Sequence, residues 1–203
     1  MTTTATTIER PTICGKDTTG PAIYVACLAS YNSGHLHGAW LNLGDVPRLN
    51  ASDIQDGIDY VLKTSPVPNA EEYAVHDYQG IPAILRNAGF LASNEHPDLE
   101  ALAEWVTTWQ ECEGNGNEGD TYREYCDHIG QAVTAEEFND AYQGTFESEA
   151  EFAEDFYEQT GQMPTDSLVS YIDWDRVWYG VFSCDGWFSI YLGAGEYAIF
   201  SPV

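Results

Sequence analysis

Residues 141–161 read AYQGTFESEAEFAEDFYEQTG, and the fold turns on how this stretch is parsed. Ser148 and Glu151 stand at the spacing of a capping box, Phe152, Ala153, Phe156 and Thr160 recur on one helical face, and Gly161 is a stop signal. The stretch therefore reads as a helix between a start and a stop. It is entered from TAEEFNDAYQG, where Thr134 and Glu137 form another capping box and Gly144 ends a helix. Downstream, YIDWDRVWYGVF predicts a helix entered at Asp173, and GWFSIYLGAGEYAIFSP a terminal hairpin turning at GAGE. Residues 133–203 thus form a C-terminal α+β domain.

Working back along the chain, HPDLEALAEWVTTWQEC carries Asp98 as an N-cap and Leu99, Leu102, Ala103 and Val106 as one apolar stripe. GDTYREYCDHIG places Tyr122, Cys126 and Ile129 at helical spacing, and IPAILRNAG supplies a shorter helix from Pro82. With the linker EGNGNEG between the longer two, residues 79–132 read as a helical middle domain. Further back, AIYVACLASYNSGHLHGAWLNL predicts an antiparallel hairpin across YNSG, and EEYAVHDY a third strand. Between them ASDIQDGIDYVLK aligns Ile54, Ile58 and Val61 on one face, with Ser52 and Gln55 spaced as a capping box. Residues 21–78 are an N-terminal α+β domain, and the Thr-rich residues 1–20, without the apolar core of a signal peptide, a flexible tail. The fold class is α+β, two small α+β units flanking a mainly helical middle domain.

A chain of 203 residues with 13 Tyr, 8 Phe and 6 Trp has the apolar content to build cores, which separates it from an acidic disordered tail. Its formal net charge of -26 exceeds the magnitude of roughly 2 to 8 that solubility alone requires. With seven scattered Lys and Arg, direct binding to nucleic acid or an anionic membrane is excluded, and a charge-driven partner must be basic. Five widely spaced cysteines without a C-x-x-C pair indicate neither a disulfide framework nor a zinc site, and fit a reduced cytoplasm. No apolar run reaches the roughly 18 residues of a membrane span.

The acid is unevenly placed. Between Glu95 and Glu158 lie 19 of the 33 Asp and Glu, with Arg123 the single Lys or Arg among them. A solvated face would mix signs, and a salt-adapted surface would spread its acids over every element. Glu149 and Glu151 gain from the dipole at a helix start, but Asp155 and Glu158 sit toward the end where cations are preferred. Two carboxylates about 6 Å apart repel by roughly 0.7 kcal/mol in water before screening. Folding alone does not favour such a face. Duplex DNA carries a negative charge about every 1.7 Å of axis, and helical neighbours three or four residues apart lie about 5 to 6 Å apart at Cβ. Acids at that spacing suit a basic groove built for DNA. The candidates are Glu136, Asp140, Glu147, Glu149, Glu151, Glu154, Asp155 and Glu158, with Glu100, Glu104 and Glu111 from the middle domain.

IYVACLASYNSGHLHGAWL, EEYAVHDYQG, FNDAYQGTFESEAEFAEDFYEQTG and YIDWDRVWYGVF, in that order, resemble the ArdA family of antirestriction proteins from about Ile23 to Phe200. The resemblance implies an elongated three-domain protein that mimics bent B-form DNA and dimerises through its C-terminal domain. It further implies binding to the DNA cleft of type I restriction-modification enzymes, above all the methyltransferase core, and protection of an incoming mobile genetic element. The family has no catalytic centre and no cofactor, so no enzyme activity is expected. Tyr142 to Asp155 is the expected antirestriction segment.

Other readings lie beside this one. An acidic adaptor for another basic DNA-binding protein would share the composition. EGNGNEGDTYRE, residues 113–124, superficially resembles a calcium loop, but Glu118 stands where the sharp turn needs Gly. His35 and His37 alternate on a possible strand without a third ligand, which favours packing over metal. Acids this abundant make any carboxylate pair uninformative about hydrolysis. Trp174, Trp178, Tyr179 and Trp187 are either core of the C-terminal domain or, as the resemblance implies, part of a homodimer interface.

Overall fold

A computed structural model describes residues 8–15, 20–87, 97–114, 119–164 and 166–202. The chain divides into two compact units, residues 1–132 and residues 133–203. The expected N-terminal and middle blocks both fall in the first.

The first unit is organised by β1 (Ala22–Cys27), which is apolar on both faces because it is the central strand. β2 (Gly38–Asn42) and β3 (Tyr73–Gln79) pair with it antiparallel on either side, Tyr24 opposite Trp40 and Val25 opposite Val75. The link from β1 to β2 holds a helical turn, α1 (Leu28–Asn32), where the sequence predicts only a reverse turn. α2 (Ala51–Lys63) lays Ile54, Gly57, Ile58 and Val61 inward. A Cβ on Gly57 would stand 2.8 Å from a Leu41 methyl, so glycine allows the helix to approach the sheet. The helix starts two residues earlier than the expected box. Asn50 accepts from the Ser52 and Asp53 amides, and Asp53 reaches back to the Asn50 amide, so the box is closed by Asn50 and Asp53 and not by the side chains of Ser52 and Gln55. Asn50→Ala should lower the unfolding free energy by about 1 kcal/mol, visible as a lower thermal midpoint.

The stretch expected as a free tail is packed in part. Ile13 is 3% and Cys14 6% exposed, and Cys14 bridges to Leu41 on the edge of β2. An apolar pair beside an open strand edge gains more by covering it than by staying in water.

α3 (Ala83–Asn87), α4 (Leu99–Gly114) and α5 (Gly119–Ile129) complete this unit. Asp98 accepts from the Ala101 amide and caps α4 as expected. Leu102, Trp105, Val106, Trp109 and Cys112 of α4 are buried with Tyr122, Tyr125 and Cys126 of α5, and Trp105 stacks on Tyr122. Ile129 is 41% exposed, so the apolar stripe of α5 ends one turn earlier than its spacing suggests.

In the second unit α6 (Ala135–Ala141) has the Thr134–Glu137 capping box in both directions. Gly144 does not end it. The helix stops at Ala141 and the chain becomes a strand, β4 (Tyr142–Phe146), paired with β6 (Glu196–Phe200), which also pairs with β5 (Phe188–Gly193). Gly144, at φ +123°, sits at a register shift of β4, a backbone conformation that L side chains rarely adopt. α7 (Glu149–Gln159) packs Phe152 and Ala153 inward, but Thr160, expected inside, is exposed as its C-cap. Beyond α8 (Asp166–Val169), Asp173 caps α9 (Trp174–Val177), which continues as a π-helical turn, Trp178–Phe182. Trp178 and Phe182 close over Phe152. β5 and β6 form the expected hairpin, turning at Ala194 and Gly195, both with positive φ.

Candidate functional site

The helices that bury these cores present carboxylates on their other faces. On α4, Glu100, Glu104 and Glu111 are all exposed. Spacings of four and seven residues keep them on one side, opposite Leu102, Val106 and Trp109. On α6, Glu136 and Asp140 are exposed four residues apart, opposite Phe138 and Ala141.

Glu147, just ahead of the Ser148 cap, and Glu151, half-buried Glu154 and Glu158 of α7 form a row spaced four, three and four. From Glu151 to Glu158 the helix rises about 10 Å, the axial length that holds about six charges of duplex DNA. Glu151 also accepts from the Glu147 amide at 2.6 Å, while Ser148 caps the Glu151 amide at 3.0 Å. The expected box is therefore open on one side, with the carboxylate reaching one residue further back.

Two other members have polar partners inside the unit. Glu149 accepts from the Ser189 hydroxyl of β5, and Asp155 accepts from the Gln159 side chain at 2.6 Å. Hydroxyl and amide donors orient a carboxylate without cancelling its charge. Glu149, turned toward the sheet, is the least outward of the eleven. On α6, amide and hydroxyl bonds from Thr134 hold the Glu137 carboxyl below its ordinary range.

Cations lie elsewhere. Among the described residues the ion pairs are Lys63–Asp59, Arg123 with Asp120 and with Glu124, and Arg176–Asp173. None of these pairs includes any of the eleven candidates. Among the described residues, the fields on α4 and on α6–α7 are thus unneutralised within their own units.

The aromatic quartet divides. Trp178 is 2% exposed and belongs to the core with Phe152 and Phe182, while Trp174 and Trp187 pack partly buried against it. Tyr179 is 62% exposed. Trp174, Trp178 and Phe182 recur every four residues on the inward side, which leaves Tyr179 outside. Sequence reading passes over Leu168 and Tyr171, which are exposed, as are Tyr179 and Val181. An exposed Tyr has the same letter as a buried one, and the missing signal is the phase of the short helices.

His37 Nε2 lies 2.8 Å from the Val61 carbonyl and His35 is exposed. The second half of the calcium-like segment is the start of α5, with Glu124 paired to Arg123, and residues 115–118 lie outside the described residues. Among the described residues no group of three His, Cys, Asp or Glu could hold a metal ion. All five cysteines are free thiols, and burial pushes Cys112 up to about 12. No described helix is long and apolar enough to cross a membrane.

Capped helices and small antiparallel sheets, with carboxylates on the outer helix faces, define an acidic α+β protein. The chain belongs to the antirestriction protein (ArdA) family, whose model matches residues 23–183. Its class is therefore that of an inhibitor directed at restriction-modification enzymes. No curated protein matches the chain.

Proposed function

We propose that the protein is a noncatalytic DNA mimic that inhibits type I restriction-modification enzymes by occupying the DNA cleft of the methyltransferase core. The observation that carries this reading is that, among the described residues, no Lys or Arg pairs with any of the eleven candidate carboxylates. Such carboxylates stand in for phosphates, pair with cleft Lys and Arg, and release the anions held there. No proton transfer or bond breaking is required.

Competition among duplex DNA, this protein and a type I methyltransferase tests the reading. Affinity should fall about 10³- to 10⁵-fold between 50 and 200 mM salt if six to ten phosphate-like contacts form. A flat response would remove phosphate mimicry, and a complex that leaves DNA bound would indicate an adaptor for some other basic protein. We further propose a homodimer through the C-terminal unit. Exposed Tyr171, Tyr179 and Val181 would supply its apolar surface, with partly buried Trp174 and Trp187 and buried Trp178 belonging to the core of the same unit. Pairing would double the formal charge of -26 in one particle. The site of action is the cytoplasm, where restriction enzymes meet incoming DNA.

A further inference from the structure

The acids of α4 differ from those of α7 in bordering a cavity. A groove of about 670 Å³ runs between the start of α2 and α4, lined by Leu49, Asn50, Ser52, Ala103 and Thr107, with Glu100 and Glu104 also in its wall. Its floor is apolar where Leu49 and Ala103 are buried. A helix start would ordinarily offer amide donors to an anion, but here Asn50 Oδ1 already accepts from the Ser52 and Asp53 amides. The Asn50 side-chain amide donates to Asp53 at 2.7 Å. Thr107 donates its hydroxyl to the Ala103 carbonyl at 2.9 Å, leaving oxygen lone pairs as its remaining polar capacity. The groove therefore combines an apolar floor, acceptor atoms and two carboxylates one helical turn apart, with no Lys or Arg in its lining.

We propose that this groove is an arginine socket, which takes one arginine side chain of the basic partner. The stem lies against Leu49 and Ala103, and the guanidinium spans Glu100 and Glu104. Arginine fits better than lysine because its planar fork serves two carboxylates at once and its weaker hydration suits a partly apolar wall. The inference deepens the proposed function by adding an anchored side chain to a distributed field, and the arginine probe tests it without the enzyme.

Titration with N-acetyl-arginine amide, followed by amide NMR, should give saturable shifts at Leu49, Ala103 and Thr107. The lysine analogue should bind several-fold more weakly. Ser52→Trp fills the mouth at unchanged charge and should abolish the shifts, as should Glu100→Gln with Glu104→Gln. With a type I methyltransferase, Ser52→Trp should weaken binding about tenfold or more, the loss of one interface anchor, and lower the salt slope by about one contact. Shifts that do not saturate, or that spread evenly over every acidic helix, would overturn the socket. So would full affinity for the enzyme in both variants. If the probe saturates the groove but the wild-type protein does not bind the methyltransferase, the proposed function fails and the socket stands.

Discussion

Replacing Glu147, Glu151, Glu154 and Glu158 together by glutamine should lower affinity for a type I methyltransferase core by about 30-fold to 1,000-fold, with the fold intact. Exposed charge pairs contribute roughly 0.5 to 1 kcal/mol each, so four removed contacts amount to about 2 to 4 kcal/mol. The amide keeps size, helix propensity and an acceptor oxygen. After Glu151→Gln the side-chain oxygen can still accept from the backbone amide of residue 147, so the start of α7 should hold. Removing four charges from one row also relieves repulsion, and the variant should unfold at a temperature no lower than the parent. Single replacements should each cost less than tenfold. Equal inhibition by the fourfold variant, measured by isothermal titration and by DNA protection, would place the contact surface off α7.

Phe152→Ala should unfold the C-terminal unit or bring it close to unfolding. Phe152 is 4% exposed and lies within 5.2 to 5.9 Å, ring centre to ring centre, of Phe146, Phe156, Trp178, Phe182 and Trp187. Truncating a buried phenylalanine costs about 3 to 5 kcal/mol, against about 5 to 15 for a whole domain, and this unit is only residues 133–203. Near-ultraviolet circular dichroism should lose the contribution of Trp174, Trp178 and Trp187, half of the six tryptophans, and amides of β4 and β6 should exchange rapidly. A thermal midpoint within a few degrees of the parent would show that the aromatic cluster repacks around the hole.

Much of this architecture is legible in the residues because local chemistry and tertiary packing agree. Thr134, Asp98 and Asp173 are short polar side chains just ahead of apolar periodicity, and each caps its helix in the structure. The terminal hairpin follows from two β-rich runs around Gly-Ala-Gly. The misreadings share one cause, an ambiguity that only a partner strand or helix resolves. Gly144 serves a helix stop and a strand irregularity equally well, and pairing with β6 selects the second. Asn50 and Ser52 are comparable caps, and Asn50 is the one that closes a reciprocal box with Asp53. Cys14 reads as part of a polar tail until the open edge of β2 is placed beside it. For the candidate surface, sequence indicates which residues are acidic and that few cations lie near them. It does not reveal that Glu149 turns toward Ser189, or that Glu100 and Glu104 border a groove.

The caps described above divide the labour between the two sides of each helix. On α7, Ser148, Phe152 and Ala153 set where the helix begins and how it is seated, whereas Glu154 and Glu158 set neither. A lineage can therefore exchange, shift or add outer acids as its adversary changes, without renegotiating the scaffold. Glu137 and Glu151 are held back from that freedom, because each also ties down a backbone amide at a helix start. Drift across homologous chains should accordingly be slowest at these two carboxylates and fastest one turn beyond them.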